Sequence, residues 1–232
     1  MFKKPLLKYE STVEVYPNIV TPAKKNIPEW YKKIPKVHDN ELFTFEEGFK
    51  KTVKYCIPFL DSLTTGYNIV LPYDIYVKND SFGMPKIICQ NVQFPPSSRD
   101  KVADLNIVPF EHYSIEFIWK INTAITVPVG YSFLLTHPLN RHDLPFTTLN
   151  GIIDGGLVMD PCGNIPFYIK KGFEGIIPQG TPIAQIIPFK QEIWNSKIEK
   201  GLAQKGFQDS QKSLSVIFGW YKKNIWTRKK YN

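Results

Sequence analysis

The stretch Ile177-Pro178-Gln179-Gly180-Thr181-Pro182-Ile183-Ala184-Gln185-Ile186-Ile187-Pro188 decides how the chain folds. Gly180 marks a turn, and a short apolar run follows. An apolar run of roughly four to eight residues bounded by turn signals reads as a buried strand. Gln185 is the one polar side chain inside it. A buried amide needs a hydrogen-bond partner, and a backbone group would serve Gln185 as well as a phosphate. Upstream, Leu149-Asn150-Gly151-Ile152-Ile153-Asp154 leads into Gly155-Gly156. Asp followed by Gly is a favoured hairpin turn, so Asp154 reads first as a turn residue and second as a base.

Outward from these phrases the chain alternates short β-rich segments with turns. The 19 prolines oppose long helices. Strands are expected at 11–15, 52–57, 68–71, 75–77, 86–90, 113–119, 121–127, 131–135, 151–154, 165–169, 173–177 and 183–189. Residues 94–108 and 137–145 read as loops. Pro28 to Lys33 and Pro58 to Leu63 read as brief helices, and Gly66 as a turn with positive φ. The expected fold class is mainly β: a jelly-roll barrel or sandwich. Near the C-terminus Asp209-Ser210 reads as a helix cap. Leu214, Ile217, Phe218, Tyr221 and Ile225 recur at helical spacing, with basic residues opposite. Three regions follow: an arm over 1–49, a β domain over 50–190 and a basic amphipathic helix over 191–232.

At 232 residues, 43% hydrophobic and 14% aromatic, the chain has enough apolar surface for one core. No apolar run reaches the ~18 residues of a membrane helix, and the start lacks a signal-peptide pattern. Cys56, Cys89 and Cys162 are far apart and form no CxxC pair, which argues against a disulfide framework or a cysteine zinc site. These features fit a protein of the host-cell cytoplasm or of a virion, without a membrane partner. The net charge is +8, and much of it lies at the two ends. It reads first as solubilising charge. Contact with nucleic acid is the sharper reading, but no recognisable nucleic-acid module accompanies the charge.

Leu63-Thr64-Thr65-Gly66-Tyr67-Asn68, Ile125 to Tyr131, Asn150 to Asp154 and Gly180 to Ile186 together resemble, in order and spacing, the motifs of the dUTPase and dCTP-deaminase superfamily. The resemblance spans about residues 60–190 and implies a β-clip jelly roll, with trimerisation as its usual assembly. It places Asp154 where the family's water-orienting carboxylate stands, and Gln185 where a phosphate contact stands. Asn68 falls at the family's first-motif Asp, and Asn140 near its second-motif Ser, after Leu139 in place of an Arg. Gly155-Gly156-Leu157 replaces the residue that screens the sugar. No glycine-rich fifth motif follows. Magnesium with a triphosphate needs several oxygen ligands, and too few remain. The whole chain is also similar to uncharacterised proteins of tailed phages of marine bacteria, through Ile27-Pro28-Glu29-Trp30-Tyr31, Pro58-Phe59-Leu60-Asp61, Thr136 to Asn140 and Leu144-Pro145-Phe146, and loosely to a bacterial family of unknown function.

Two functions are carried forward. One is a phage module without catalysis that acts by binding or assembly, as a homo-oligomer or with phage structural partners and with no cofactor. The other is a diverged deoxynucleotide pyrophosphatase or deaminase. There Asp154 would orient water, Asn68, Asn140, Asn150 and Gln185 would contact the ligand, Arg141 would supply charge, and Mg would be required. His137, His142 and Asp143 suit iron or zinc by residue type, but their spacing matches no standard motif, and no metal site is expected.

Overall fold

The computed structural model describes residues 5–13, 16, 18–36, 52–90, 92, 94–99, 107–163, 165–215 and 220–232. In chain order the strands are β1 (Lys8–Ser11), β2 (Val20–Pro22), β3 (Tyr67–Val70), β4 (Ile75–Asn79), β5 (Pro85–Ile88), β6 (Ser97–Ser98), β7 (Phe117–Trp119), β8 (Thr123–Thr126), β9 (Tyr131–Thr136), β10 (Phe146–Thr148), β11 (Gly151–Asp154), β12 (Ile165–Ile169), β13 (Gly175–Ile177) and β14 (Pro182–Lys190). The helices are α1 (Glu29–Lys33), α2 (Ile57–Thr64), α3 (Leu202–Ser215) and α4 (Trp220–Asn224). The strands form a five-stranded sheet in the order β11-β9-β14-β3-β2, a four-stranded sheet β10-β12-β7-β6, a three-stranded sheet β13-β4-β5 and the pair β1-β8. Every pairing is antiparallel. The mainly β expectation holds. Among the described residues the ladders stay separate, and none runs round into a closed barrel.

One core joins the sheets. The Trp119 and Phe167 rings stack 3.5 Å apart, and Phe146 meets Trp119 edge-on. Trp119 Nε1 donates to Thr148 Oγ1 at 3.0 Å, and that hydroxyl donates to the Ile183 carbonyl at 2.6 Å. This buried relay ties the four-stranded sheet to β14. Buried Glu116 is matched by Arg99 at 3.1 Å and the Tyr168 hydroxyl at 3.1 Å, as a buried carboxylate requires. The described part of the N-terminal arm belongs to the body. β1 pairs with β8, β2 pairs with β3, and Ile19, Val20 and Ala23 are buried.

Local chemistry sets the turns that frame the site. In the β4–β5 hairpin, Asp80 Oδ1 accepts the Phe82 and Met84 amides at 2.9 and 3.0 Å. The Met84 amide first, then burial working the other way, the Phe82 amide and Lys86, leave its carboxyl below the usual range. α2 has proline in its first turn, ends at Thr64 with Thr65 as its cap, and is followed by Gly66, whose φ is +74°. A Cβ at Gly66 would lie 2.0 Å from the Ile186 carbonyl oxygen. Only glycine lets the chain turn from α2 into β3 this close to β14.

Several expected elements differ. Residues 52–57 form a 3₁₀ turn at Val53–Tyr55 rather than a strand, because Thr52 Oγ1 caps the Lys54 amide and donates to the Pro35 carbonyl. The first strand is Lys8–Ser11 instead of 11–15, and residues 14 and 15 lie outside the described residues. Only Phe117–Trp119 of 113–119 joins a ladder. Phe146–Thr148 is a strand not expected from the sequence. The C-terminal helix begins at Leu202, so Asp209 is interior and pairs with Lys212 at 3.6 Å instead of capping. Ile217 and Phe218 lie outside the described residues, and Tyr221 and Ile225 belong to a region with separate helical turns.

Candidate functional site

A row of polar side chains crosses the five-stranded sheet. Thr21 opposes Asn68, Asn68 opposes Gln185, and Gln185 opposes Thr136. Thr136 Oγ1 then donates to Asn150 Oδ1 at 2.6 Å. Directly opposed residues share one face of a sheet, so the first four side chains form one line, and the hydrogen bond from Thr136 adds Asn150 to it. The structure thus brings Asn68, Asn150 and Gln185 together. Thr136 and Thr21 are members that the sequence reading missed. The signal available was a threonine directly after an apolar run, Ile19-Val20 before Thr21 and Phe133-Leu134-Leu135 before Thr136.

The row is covered by α2 and by the loop 137–141. Gln185 is buried, and its amide is fully occupied by backbone. Oε1 accepts the Leu139 amide at 2.8 Å, and Nε2 donates to the carbonyls of Ser62 and Thr65 at 2.9 and 2.7 Å. Both N–H donors are used, so no donor remains for a phosphate. Asn140 takes a left-handed φ of 58° and its Nδ2 donates to Ser62 Oγ at 2.6 Å, which closes the loop onto α2. Asn68 Nδ2 reaches Asn26 Oδ1 at 3.4 Å, while its own Oδ1 is buried without a partner among the described residues.

Arg141, Asp143 and His137 of the loop are also engaged. Arg141 grips Asp143 through Nε and Nη2 at 2.9 Å each, and Trp30 Nε1 donates to the same carboxylate at 3.2 Å. Burial would push the Asp143 carboxyl up, but Arg141 and Trp30 outweigh it and hold it below its ordinary range. His137 Nδ1 accepts the Thr148 amide at 3.3 Å, so Nε2 carries the proton and donates to the Arg141 carbonyl at 3.1 Å. Burial first, then the nearby positive charges of Lys170, His142 and Arg141, drive the imidazole down to about 4 against the pull of that carbonyl. With both ring nitrogens occupied, His137 is a loop fastener and has no lone pair left for a metal.

Asp154 stands apart from the row. It opposes Ser132, whereas Gln185 opposes Thr136, four residues further along β9. At roughly 3.3 Å per residue that is about 13 Å along the sheet. The exposed Asp154 carboxylate accepts Ser132 Oγ at 2.8 Å and Gln191 Nε2 at 3.1 Å through one oxygen. Between the two positions lies the apolar row Leu134, Ile152 and Ile187. Within one subunit, the residues given the roles of base and phosphate contact therefore do not converge. Among the described residues, no three His, Cys, Asp or Glu side chains gather as metal ligands.

No family model matches the chain, and no curated protein is similar to it. Among solved structures, a mutant dUTPase from phage phi11 of S. aureus, described for the coordination of a structural Mg(II) ion, is similar over 84% of this chain and 95% of its own at 13% identity, with a TM-score of 0.33. A mutant dUTPase of Staphylococcus bacteriophage 80alpha is similar over 59% of this chain and 82% of its own at 17% identity, with a TM-score of 0.30. At this depth of overlap the fold rests on the chain's own antiparallel ladders.

Proposed function

We propose that this chain is a phage-encoded β module without catalysis, acting by binding and assembly in the host cell or the virion. The observation that carries the reading is the full engagement of the Gln185 amide by backbone. Together with the ~13 Å offset of Asp154 within one subunit, it supports a polar row that acts as a structural seam rather than a cradle for a nucleotide. The resemblance to phage proteins supports the source.

The tail supports assembly. After β14, residues 191–199 adopt no regular structure, and Ile193, Trp194 and Ile198 are 95%, 85% and 97% exposed. Phe207 on α3 is also exposed. Large apolar side chains gathered on one exposed segment mark an association surface. A homo-oligomer, with a trimer as the form the resemblance implies, would cover them. Light scattering on the eluting full chain tests this. The expected result is an oligomer that falls to a monomer when Ile193, Trp194 and Ile198 are changed to Ser together. A wild-type chain that is monomeric at high concentration, with no bound partner in the virion, would contradict it.

A further inference from the structure

A groove of about 710 Å³ opens between α2, the turn at Lys24 and the chain that follows α4. Five cations line it: Lys24, Lys222, Arg228, Lys229 and Lys230. Its one lining carboxylate side chain, Asp61, is already taken. Asp61 accepts Trp226 Nε1 at 2.9 and 3.1 Å and Lys229 Nζ at 2.5 Å. Among the described residues, Lys24 Nζ donates to the Tyr231 carbonyl at 3.0 Å and makes no ion pair. Lys222, Arg228 and Lys230 are exposed and make no ion pair among the described residues. Four of the five cations thus surround a groove without a carboxylate partner. Such a cluster repels itself and draws in anions.

Two aromatic rings share the same walls. Trp226 is fixed by its bonds to Asp61, and Tyr231 packs edge-on against Tyr67 at 5.7 Å. Cations that track a phosphate chain, beside rings on which bases stack, are what a single strand needs. An acidic peptide would use the cations and leave the rings idle. We propose that this groove binds single-stranded nucleic acid through its phosphate backbone. The sequence alone discouraged that reading, because the basic residues belong to no recognisable module. The fold supplies what was missing: it folds the basic tail back onto α2 beside Lys24. The groove is separate from the polar row, so the inference stands whether or not that row is inert.

Fluorescence anisotropy of a labelled single-stranded oligonucleotide of about twenty bases, longer than one such site, tests it on the full chain. Binding is expected, and it should weaken steeply between roughly 50 and 200 mM salt. Changing Lys222, Arg228 and Lys230 to Gln together should weaken binding at least tenfold. The slope of log affinity against log salt should fall by about 2, at about 0.7 for each phosphate that is no longer neutralised. Arg228→Gln alone should give a smaller loss in the same direction, and all three side chains are exposed, so folding is not at issue. The proposal is overturned if the oligonucleotide does not bind, or if the triple variant binds it as tightly as the wild type. It is also overturned if polyglutamate competes as well as the oligonucleotide at equal charge, which would identify an acidic peptide site. Equal competition by inorganic triphosphate would identify a free-phosphate site and overturn it too.

Discussion

Gln185 on β14 and Leu139 in the loop after β9 are joined by a 2.8 Å hydrogen bond from the Leu139 amide to Gln185 Oε1. The same side chain holds the last turn of α2 through Ser62 and Thr65. One amide therefore fastens a strand, a helix and a loop. Gln185→Ala leaves one backbone N–H and two carbonyls without their partner, at a cost of about 3 kcal/mol. Urea unfolding measures it. A loss below about 1 kcal/mol would show that the seam is not structural.

Gly66 and Gly83 make a matched pair. Both have φ near +75°, but a Cβ at Gly66 meets the Ile186 oxygen at 2.0 Å, whereas Gly83 has nothing within 4 Å. Gly83→Ala should cost about 1 kcal/mol from its left-handed backbone alone. Gly66→Ala should cost about 3 kcal/mol or more, because backbone must move as well. Comparable melting temperatures for the two variants would contradict the close approach of α2 to β14.

His137 gives the fold a pH dependence. Its folded value of about 4 lies below the ordinary value of 6.5. Between them the unfolded chain takes up a proton that the folded chain refuses. The stabilisation is therefore complete above 6.5 and is lost as pH falls toward 4, with a full span on the order of 3 kcal/mol. His137→Gln should flatten this part of the stability curve. An unchanged curve would mean that the imidazole does not titrate between those limits.

Much of the strand plan was legible. The β4–β5 hairpin, the strand after Gly180 and the helix over Pro58 to Leu63 each carried strong turn or periodicity signals, and all three form. Phe146–Thr148 was not legible, because three residues between a proline loop and Asn150 show no alternation. The helix start was missed because Asp209 has a capping side chain but lies in the interior of α3, which begins after Gly201. At the site, the need of Gln185 for partners followed from one polar residue in an apolar strand. Their identity did not, since Ser62, Thr65 and Leu139 are more than forty positions away and meet it only through folding. The Asp154 offset was equally hidden, because register along β9 sets it.

Asp154→Asn keeps an oxygen in place to accept Ser132 and Gln191, so its stability should stay within about 0.5 kcal/mol of the wild type. Thermal unfolding checks this, and the variant then serves as a folded control for chemistry.

The most direct test is turnover of dUTP and dCTP by the purified chain with magnesium, followed by product chromatography, for wild type and Asp154→Asn side by side. Wild type and variant should both stay at the level of the buffer. Release of pyrophosphate or ammonia by the wild type, abolished in the variant, would contradict a module without catalysis and restore Asp154 as a base.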